Sequence, residues 1–351
     1  MTGLIGSTAP LQDAFDCALL DLDGVVYVGA AAVEHAPAAI QVARAGGMRT
    51  VFVTNNAART PQTVADHLTD LGIPPGPEEV TTAAMAAAAL ISAEADEHTR
   101  VLAIGGAGLR QAIADEGLHL VESATQSPTV VVQGFTPEIG WHDLAEAAYA
   151  IAAGAQHVAS NLDASLPTER GFAPGNGALV AAVVAATGVQ PRSTGKPGPE
   201  IFHQAARAGG AQRPLVVGDR LDTDLAGARA AQIPGLHVCT GVDGPTKVLR
   251  AVGARRPAFL GLDLRALSQP HPEPTRAEGW WTCAGAAARI EGEAVVLRRD
   301  GGDVTLGQHT NELDVDEVRA AAAAAWEASD VAGVDSVLPA DFPHVRMVDQ
   351  A

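Results

Sequence analysis

The sequence predicts an α/β protein built on a doubly wound parallel sheet, with a second α/β domain inserted into the first and a small α+β module at the C-terminal side. Three observations carry this reading. Short apolar runs such as CALLDLD (17–23) and VFVTNN (51–56) alternate with helix-like stretches, the grammar of parallel strand–helix–strand crossovers. The two-strand start near 17–71 resumes only after about residue 191, with a block of similar grammar between. Beyond the Pro-rich stretch SQPHPEPTR (268–276) the texture changes to strand-like alternation followed by a helix.

Taken in order, the run 17–22 reads as a buried strand, and HAPAAIQVARAGG (35–47) as a helix stopped by Gly46 and Gly47. MRTVFVTNN (48–56) is the second strand, and Pro61 to Leu71 the second helix. In the central block, VLAIGGAGL, TVVVQGF and QHVASNLD read as strands, with helices at 108–116, 142–153 and 176–187. The first grammar returns with a helix at 199–210, the strand RPLVVGDR (213–220), a helix at 223–232, the strand GLHVCTG (235–241) and a last strand within 256–264. The tail segment GWWTCAGAAARIEGEAVVLRR alternates like a hairpin, and DVDEVRAAAAAAWEAS reads as a helix. The expected division is therefore a core over 1–79 and 191–267, an insert over 80–190, a linker over 268–276 and an α+β appendage over 277–351.

Composition narrows the function. The formal charge of −18 repels polyanions, and aromatics make up only 4 % of the 351 residues. DNA, RNA and anionic membranes are thus poor partners. Cys17, Cys239 and Cys283 are far apart and form no CxxC, which argues against a disulfide framework or a thiolate zinc site and for a reducing compartment. The first 16 residues show no signal-peptide pattern, and the apolar stretch 82–93 is too short to span a bilayer. A cytoplasmic protein is expected.

The chemistry sits at strand ends. Residues i and i+2 of a strand point to one side, so Asp21 and Asp23 can converge, with Gly24 turning the backbone away. In open α/β sheets ligands bind at the carboxyl ends of the strands. There the second strand supplies Thr54 and Asn55, the segment TGKPGPE supplies Lys196, and GDRLDTD supplies Asp219, Asp222 and Asp224. Two carboxylates about 4 Å apart repel by about 4 kcal/mol at an effective dielectric near ~20. A hard cation and a lysine offset that repulsion, and an oxygen-only donor set suits Mg²⁺ rather than zinc.

The ordered series strand–DxDG, strand–T, GK, strand–GDxxxxD resembles the four motifs of the haloacid-dehalogenase-like hydrolases, over about residues 17–265. The short spacer between Asp23 and Thr54 and the long one between Thr54 and Lys196 match that family's class II cap insertion. VTNNAART, SNLDASLPTERGFAPGNGALV and TGKPGPEIF look most like the class IIA, NagD-type phosphatases. The alanine-rich composition and the extra C-terminal module look closest to actinobacterial glycerol-3-phosphate phosphatases. The resemblance implies a Rossmann-like core and a Mg²⁺-dependent phosphomonoesterase acting on a small phosphorylated metabolite, glycerol 3-phosphate first, in phospholipid metabolism. Asp21 would be the nucleophile and form an aspartyl-phosphate, and Asp23 the general acid and base. Thr54 and the Asn55 N–H would hold the phosphoryl group at a helix N-terminus, and Lys196 would neutralise charge. Asp21, Asp219 and the Asp23 carbonyl would bind the metal, and Asp224 would support the site. Asp222 sits in the same motif, so only spacing favours Asp224. By family analogy Asn161, Asp163 and Leu166 of the cap would face the substrate, with Arg59 at the rim. The polar cap-loop residues Asn161, Asp163, Ser165, Thr168 and Glu169 suit a small hydroxylated ester, and relatives suggest a homodimer through the cap.

Other readings compete. A phosphatase for phosphoglycolate, pyridoxal phosphate or a nucleoside monophosphate has the same core motifs. A catalytically silent binding or scaffold protein would use the tail as its interaction surface, which the intact acids and lysine argue against. IGGAGL (104–109) is an incomplete dinucleotide fingerprint and reads as a tight turn, and the 11 histidines show no metal spacing.

Overall fold

A computed structural model describes residues 3–168, 170–299, 302–307 and 311–349. The chain divides into two units, one formed by Met1–Thr50 with Ala211–Ala351 and the other by Val51–Gly210.

In the first unit the strand Cys17–Asp21 pairs in parallel with Pro214–Gly218, Leu19 opposite Val216. That strand in turn pairs with Gly235–Val238, and the latter with Phe259–Gly261. Leu19, Leu20, Val216, Val217 and Leu236 are fully buried, which is why these strands are apolar throughout rather than alternating. The helix Ala36–Ala45 starts with a proline in its first turn and stops at Gly46 and Gly47; Gly47 takes φ +93°, a conformation that suits glycine.

The tail is richer than a hairpin. Thr275–Ala277, Trp280–Cys283, Ala286–Glu291, Ala294–Arg299 and Gly302–Thr305 form an antiparallel five-stranded sheet in sequence order. The helix Val315–Ala332 packs against its strands. This helix is closed by a capping box of Asp314 and Glu317 at one end and by Gly333 at φ 67° at the other. One hydrophobic cluster joins Leu221, Leu225, Val248, Leu249 and Leu260 to Ala288, Val295, Leu297, Val318, Ala321 and Trp326. The alanine run of the helix lets it approach that cluster closely. The Pro-rich stretch before the sheet is fastened down. Ser7 and His271 exchange backbone hydrogen bonds, and His271 is buried. Its Nδ1 lies 3.0 Å from Arg319 Nη2, while Arg319 also donates to the Leu260 carbonyl and to Asp316.

In the second unit five parallel strands run in the order Arg192–Ser193, Gln156–Ala159, Val130–Gln133, Arg100–Ile104, His119–Val121. Val101 and Ala103 pack with Ala84, Ala88, Leu109 and Ile113 of the helices Ala83–Glu94 and Ala107–Asp115. Leu102 and Ile104 face the other way, to Ala147, Ile151 and Val183 of the helices Trp141–Ala152 and Asn176–Thr187. The period of two in the strand thus serves both helical layers. A hairpin, Ser165–Thr168 with Gly171–Pro174, follows the fourth strand in sequence, and the strand Arg49–Thr54 pairs with Val80–Thr82.

Candidate active site

The acids of the first unit gather at the carboxyl ends of its parallel strands. Asp21 is the last residue of its strand, and Asp219 follows Gly218 directly. Carboxylate oxygens of Asp21, Asp219 and Asp224 lie within 4.8 Å of one another, with Asp219 and Asp224 buried. Three carboxylates this close fit a hard divalent cation in donor chemistry. Two glycines make room: a Cβ on Gly24 would stand 2.5 Å from Asp219 Oδ2, and one on Gly241 would stand 2.0 Å from it. Gly24 also needs φ +86°, and Thr240 Oγ1 donates to its carbonyl at 2.6 Å. Asp23, one turn residue away, is exposed.

Which acid of the GDRLDTD segment joins the cluster is decided by a π-helical turn over Leu221–Leu225. The turn buries Asp224, whose Oδ2 accepts the Arg220 N–H at 3.1 Å. It leaves Asp222 exposed, paired with the Arg220 guanidinium at 3.2 Å. Gly218 is required here, because its Cβ would come within 2.2 Å of Asp224 Cβ.

The second unit holds the donors. Thr54 ends its strand, buried, and its Oγ1 accepts the Asn56 N–H. Asn56 Oδ1 then accepts the N–H groups of Ala58 and Arg59, so the following helix starts only at Pro61, capped by Thr60. The Asn55 N–H therefore lies in the preceding loop and not at the helix N-terminus that the sequence suggested. The Asn55 side chain clamps Lys196: Oδ1 accepts its N–H at 2.8 Å and Nδ2 donates to its carbonyl at 3.3 Å. Lys196 is buried, and Gly195 before it cannot carry a side chain, since a Cβ would lie 2.4 Å from the Ser160 carbonyl.

The two cap residues singled out from sequence converge on the same loop. Asn161 Nδ2 donates to the Asn55 carbonyl at 2.8 Å, and its Oδ1 accepts the Asp163 N–H. Asp163 Oδ2 accepts from Asn55 Nδ2 at 3.1 Å. Asn176 Nδ2 extends the chain of amides by donating to the Asn161 carbonyl. Arg59 and Ser165 are exposed, Leu166 is half-buried and Glu169 lies outside the described residues. Phe172, opposite Pro167 in the hairpin, is 82 % exposed, an aromatic just beyond the loop window read from sequence.

Sequence reasoning also passed over residues 240–243. Val242 N–H donates to Asp219 Oδ2 at 2.6 Å, and Asp243 contacts the same segment. The one signal was the TG that ends GLHVCTG, a small-residue turn after an apolar strand.

A parallel α/β sheet with carboxylates at its strand ends fits the family match over the same segments. Residues 18–119 match the family described as haloacid dehalogenase-like hydrolase, and residues 193–267 one described as HAD-hydrolase-like. The chain belongs to the haloacid dehalogenase-like hydrolases. It is 43 % identical over 319 residues to the D-glycerol 3-phosphate phosphatase of Mycobacterium tuberculosis, covering 89 % of this chain and 86 % of that protein. It is 39 % identical over 226 residues to the 5'-nucleotidase YutF of Bacillus subtilis, covering 64 % and 87 %. Among solved structures, the glycerol phosphate phosphatase Rv1692 of M. tuberculosis in complex with magnesium aligns with a TM-score of 0.79 at 39 % identity, covering 90 % of this chain and 92 % of that one.

Proposed function

We propose that this chain is a Mg²⁺-dependent phosphomonoesterase that hydrolyses glycerol 3-phosphate through an aspartyl-phosphate. The observation that carries the chemistry is the convergence of Asp21, Asp219 and Asp224 within 4.8 Å. Asp21, Asp219 and the Asp23 carbonyl would hold the Mg²⁺, with Asp224 in support. When bound, the ion supplies charge neutralisation for the carboxylates and the phosphate oxygens.

The carboxylate of Asp21 attacks phosphorus, and the bond from phosphorus to the ester oxygen breaks. Asp23, exposed beside it, gives its proton to the departing alkoxide. The ionised Asp23 then takes a proton from water, whose oxygen attacks the aspartyl-phosphate. Inorganic phosphate leaves and both acids return to their first states. Thr54, the Asn55 N–H and the Lys196 ammonium bind the phosphoryl oxygens as negative charge shifts among them. Lys196 can be held rigidly for this because Asn55 grips both sides of its backbone.

The substrate assignment rests on the reach of the resemblance. The match to the mycobacterial glycerol phosphate enzyme runs over 319 residues, whereas that to the nucleotidase runs over 226. Asn161 and Asp163 would shape the hydroxyl side of the pocket, largely by fixing the loop at Asn55. The functional division follows the segments 1–79 and 191–267 for the core, 80–190 for the cap, 268–276 for the link and 277–351 for the appendage. The protein would work in the cytoplasm, in phospholipid metabolism. No described helix is long and apolar enough to cross a membrane, and Cys17, Cys239 and Cys283 form no disulfide with one another. A homodimer through the cap would cover the helix Asn176–Thr187, which has no charged residue and exposes Ala181, Ala182 and Ala185, and the exposed Trp141 and Tyr149 of the helix packed against it.

The test is kcat/KM over a panel of glycerol 3-phosphate, phosphoglycolate, pyridoxal phosphate and a nucleoside monophosphate, with and without Mg²⁺. Glycerol 3-phosphate is expected to lead, with no turnover after chelation. A preferred nucleotide would overturn the substrate, and full activity in chelator would overturn the metal.

A further inference from the structure

Behind the acid cluster, one residue grips both ends of the segment that starts at Asp219, with its backbone at one end and its carboxylate at the other. The Asp243 N–H donates to the Asp219 carbonyl at 3.2 Å. Its carboxylate Oδ2 accepts the Leu221 N–H at 2.8 Å, two residues further along. Oδ1 accepts from Lys247 Nζ at 2.5 Å, one helical turn on. Its carbonyl accepts from His237 Nε2 at 2.7 Å. A carbonyl can only accept, so Nε2 carries the proton of that ring. Burial holds His237 neutral by pushing its pKa down. Asp243 is thereby tied to the strand before it, the helix after it and the metal-side loop opposite. Between Asp243 and Gly241, Val242 gives its N–H to Asp219 Oδ2 at 2.6 Å. The carboxylate is itself 8 % exposed, so these bonds have little competition from water.

We propose that Asp243 is a positioning residue for the metal site: it fixes the loop Asp219–Leu221 so that the Asp219 carboxylate is aimed before the ion arrives. Carboxylates outside the ligand set commonly act this way by orienting the ligands. The role belongs to the shape of the carboxylate more than to its charge. An asparagine amide keeps an oxygen for the Leu221 N–H, whereas alanine leaves that buried donor without its partner. The inference rests on the reading of Asp219 as a metal ligand.

The experiment measures Mg²⁺ binding by calorimetry on the full chain, alongside kcat and KM at rising Mg²⁺. Asp243→Ala is expected to weaken Mg²⁺ on the order of ten- to a hundred-fold, the range for such orienting groups. Saturating Mg²⁺ should then recover most of kcat with KM for the ester little changed. Asp243→Asn should stay close to the parent in both. Amide exchange at Leu221, read by NMR, should accelerate in the alanine variant alone. Asp219→Ala is the reference: if it binds Mg²⁺ as the parent does, the metal reading itself fails. If Asp219→Ala loses Mg²⁺ while Asp243→Ala keeps the parent affinity, only the positioning role is overturned. Equal losses in Asp243→Ala and Asp243→Asn would overturn it too, since charge and not geometry would then be at work. Should the alanine variant not fold, Asp243→Ser, too short to reach Leu221, must show the same loss, and parent affinity in it counts against the proposal.

Discussion

Asn55 holds Lys196 by its backbone, accepting the N–H at 2.8 Å and donating to the carbonyl at 3.3 Å. The lysine is thus placed by an amide that also reaches Asp163. Removing the clamp should misplace the ammonium without removing it. Asn55→Ala is expected to lower kcat/KM about a hundred-fold, the scale of a small misplacement of a reacting group. Mg²⁺ affinity, measured by calorimetry, should be unchanged.

Asp23 lies outside the carboxylate cluster and is exposed, as suits a group that meets the leaving alcohol. Asp23→Asn should cut the phosphorylation step with glycerol 3-phosphate by about 10²–10⁴, the usual worth of a general acid. The same step with nitrophenyl phosphate, whose leaving group needs little protonation, should fall far less in single-turnover assays. Asp21→Asn should stop both esters, and equal losses for the two esters in Asp23→Asn would remove the acid role.

The π-helical turn makes Asp222 and Asp224 unequal. Asp222→Ala breaks a surface pair with Arg220, a contact worth about 0–1 kcal/mol. Activity and Mg²⁺ affinity should stay within about twofold. Asp224→Ala opens a buried site beside Asp21 and Asp219 and should weaken Mg²⁺ at least about tenfold.

The tail should be indispensable to the fold of the first unit. Trp326 is buried, and its indole N–H donates to the Val248 carbonyl at 2.9 Å. Trp326→Ala should cost about 3–5 kcal/mol in urea unfolding. A chain cut after Leu267 should aggregate, since Val248, Leu249 and Leu260 lose their cover. A soluble, active truncated chain would contradict this.

His271 gives the protein an acid-sensitive point. Both ring nitrogens are engaged, Nε2 with the Ala266 carbonyl and Nδ1 with Arg319. Burial, with Arg319 adding to it, pushes the ring down to about 4 from 6.5. The unfolded chain therefore binds the extra proton first. Stability from this residue is complete above about pH 6.5, falls as the pH drops toward about 4 and is flat below, a total of about 3 kcal/mol. His271→Gln should flatten that part of the stability profile relative to the parent, as followed by denaturant unfolding from pH 7 to about 4. Parallel profiles for the two proteins would rule out this contribution.

The strand ends were legible because they bring apolar runs and acids into direct sequence contact: Asp21 and Asp219 could be named from CALLD and LVVGD alone. The choice between Asp222 and Asp224 was not, because spacing cannot announce a π turn. Asp243 was hidden for a different reason. Its partners, Asp219 and Leu221, are reached across the sheet, and no local pattern marks such a pair. The tail's secondary structure followed from alternation and an alanine run. That it shares a core with Leu221 and Leu249 did not, since a hydrophobic face read from sequence does not name what covers it.

The division of the chain also sets an order of events during synthesis. Val51–Gly210 is one uninterrupted stretch, whereas Cys17–Asp21 waits for Pro214–Gly218 to arrive as its neighbour. On the ribosome Val51–Gly210 can be finished while Cys17–Asp21 still lacks Pro214–Gly218 on one side. The tail emerges after both and closes the cluster around Leu249 and Trp326. A growing chain therefore cannot complete the first unit until the helix Val315–Ala332 and Val345 have been made, which holds back hydrolytic competence until well after the acids themselves have emerged.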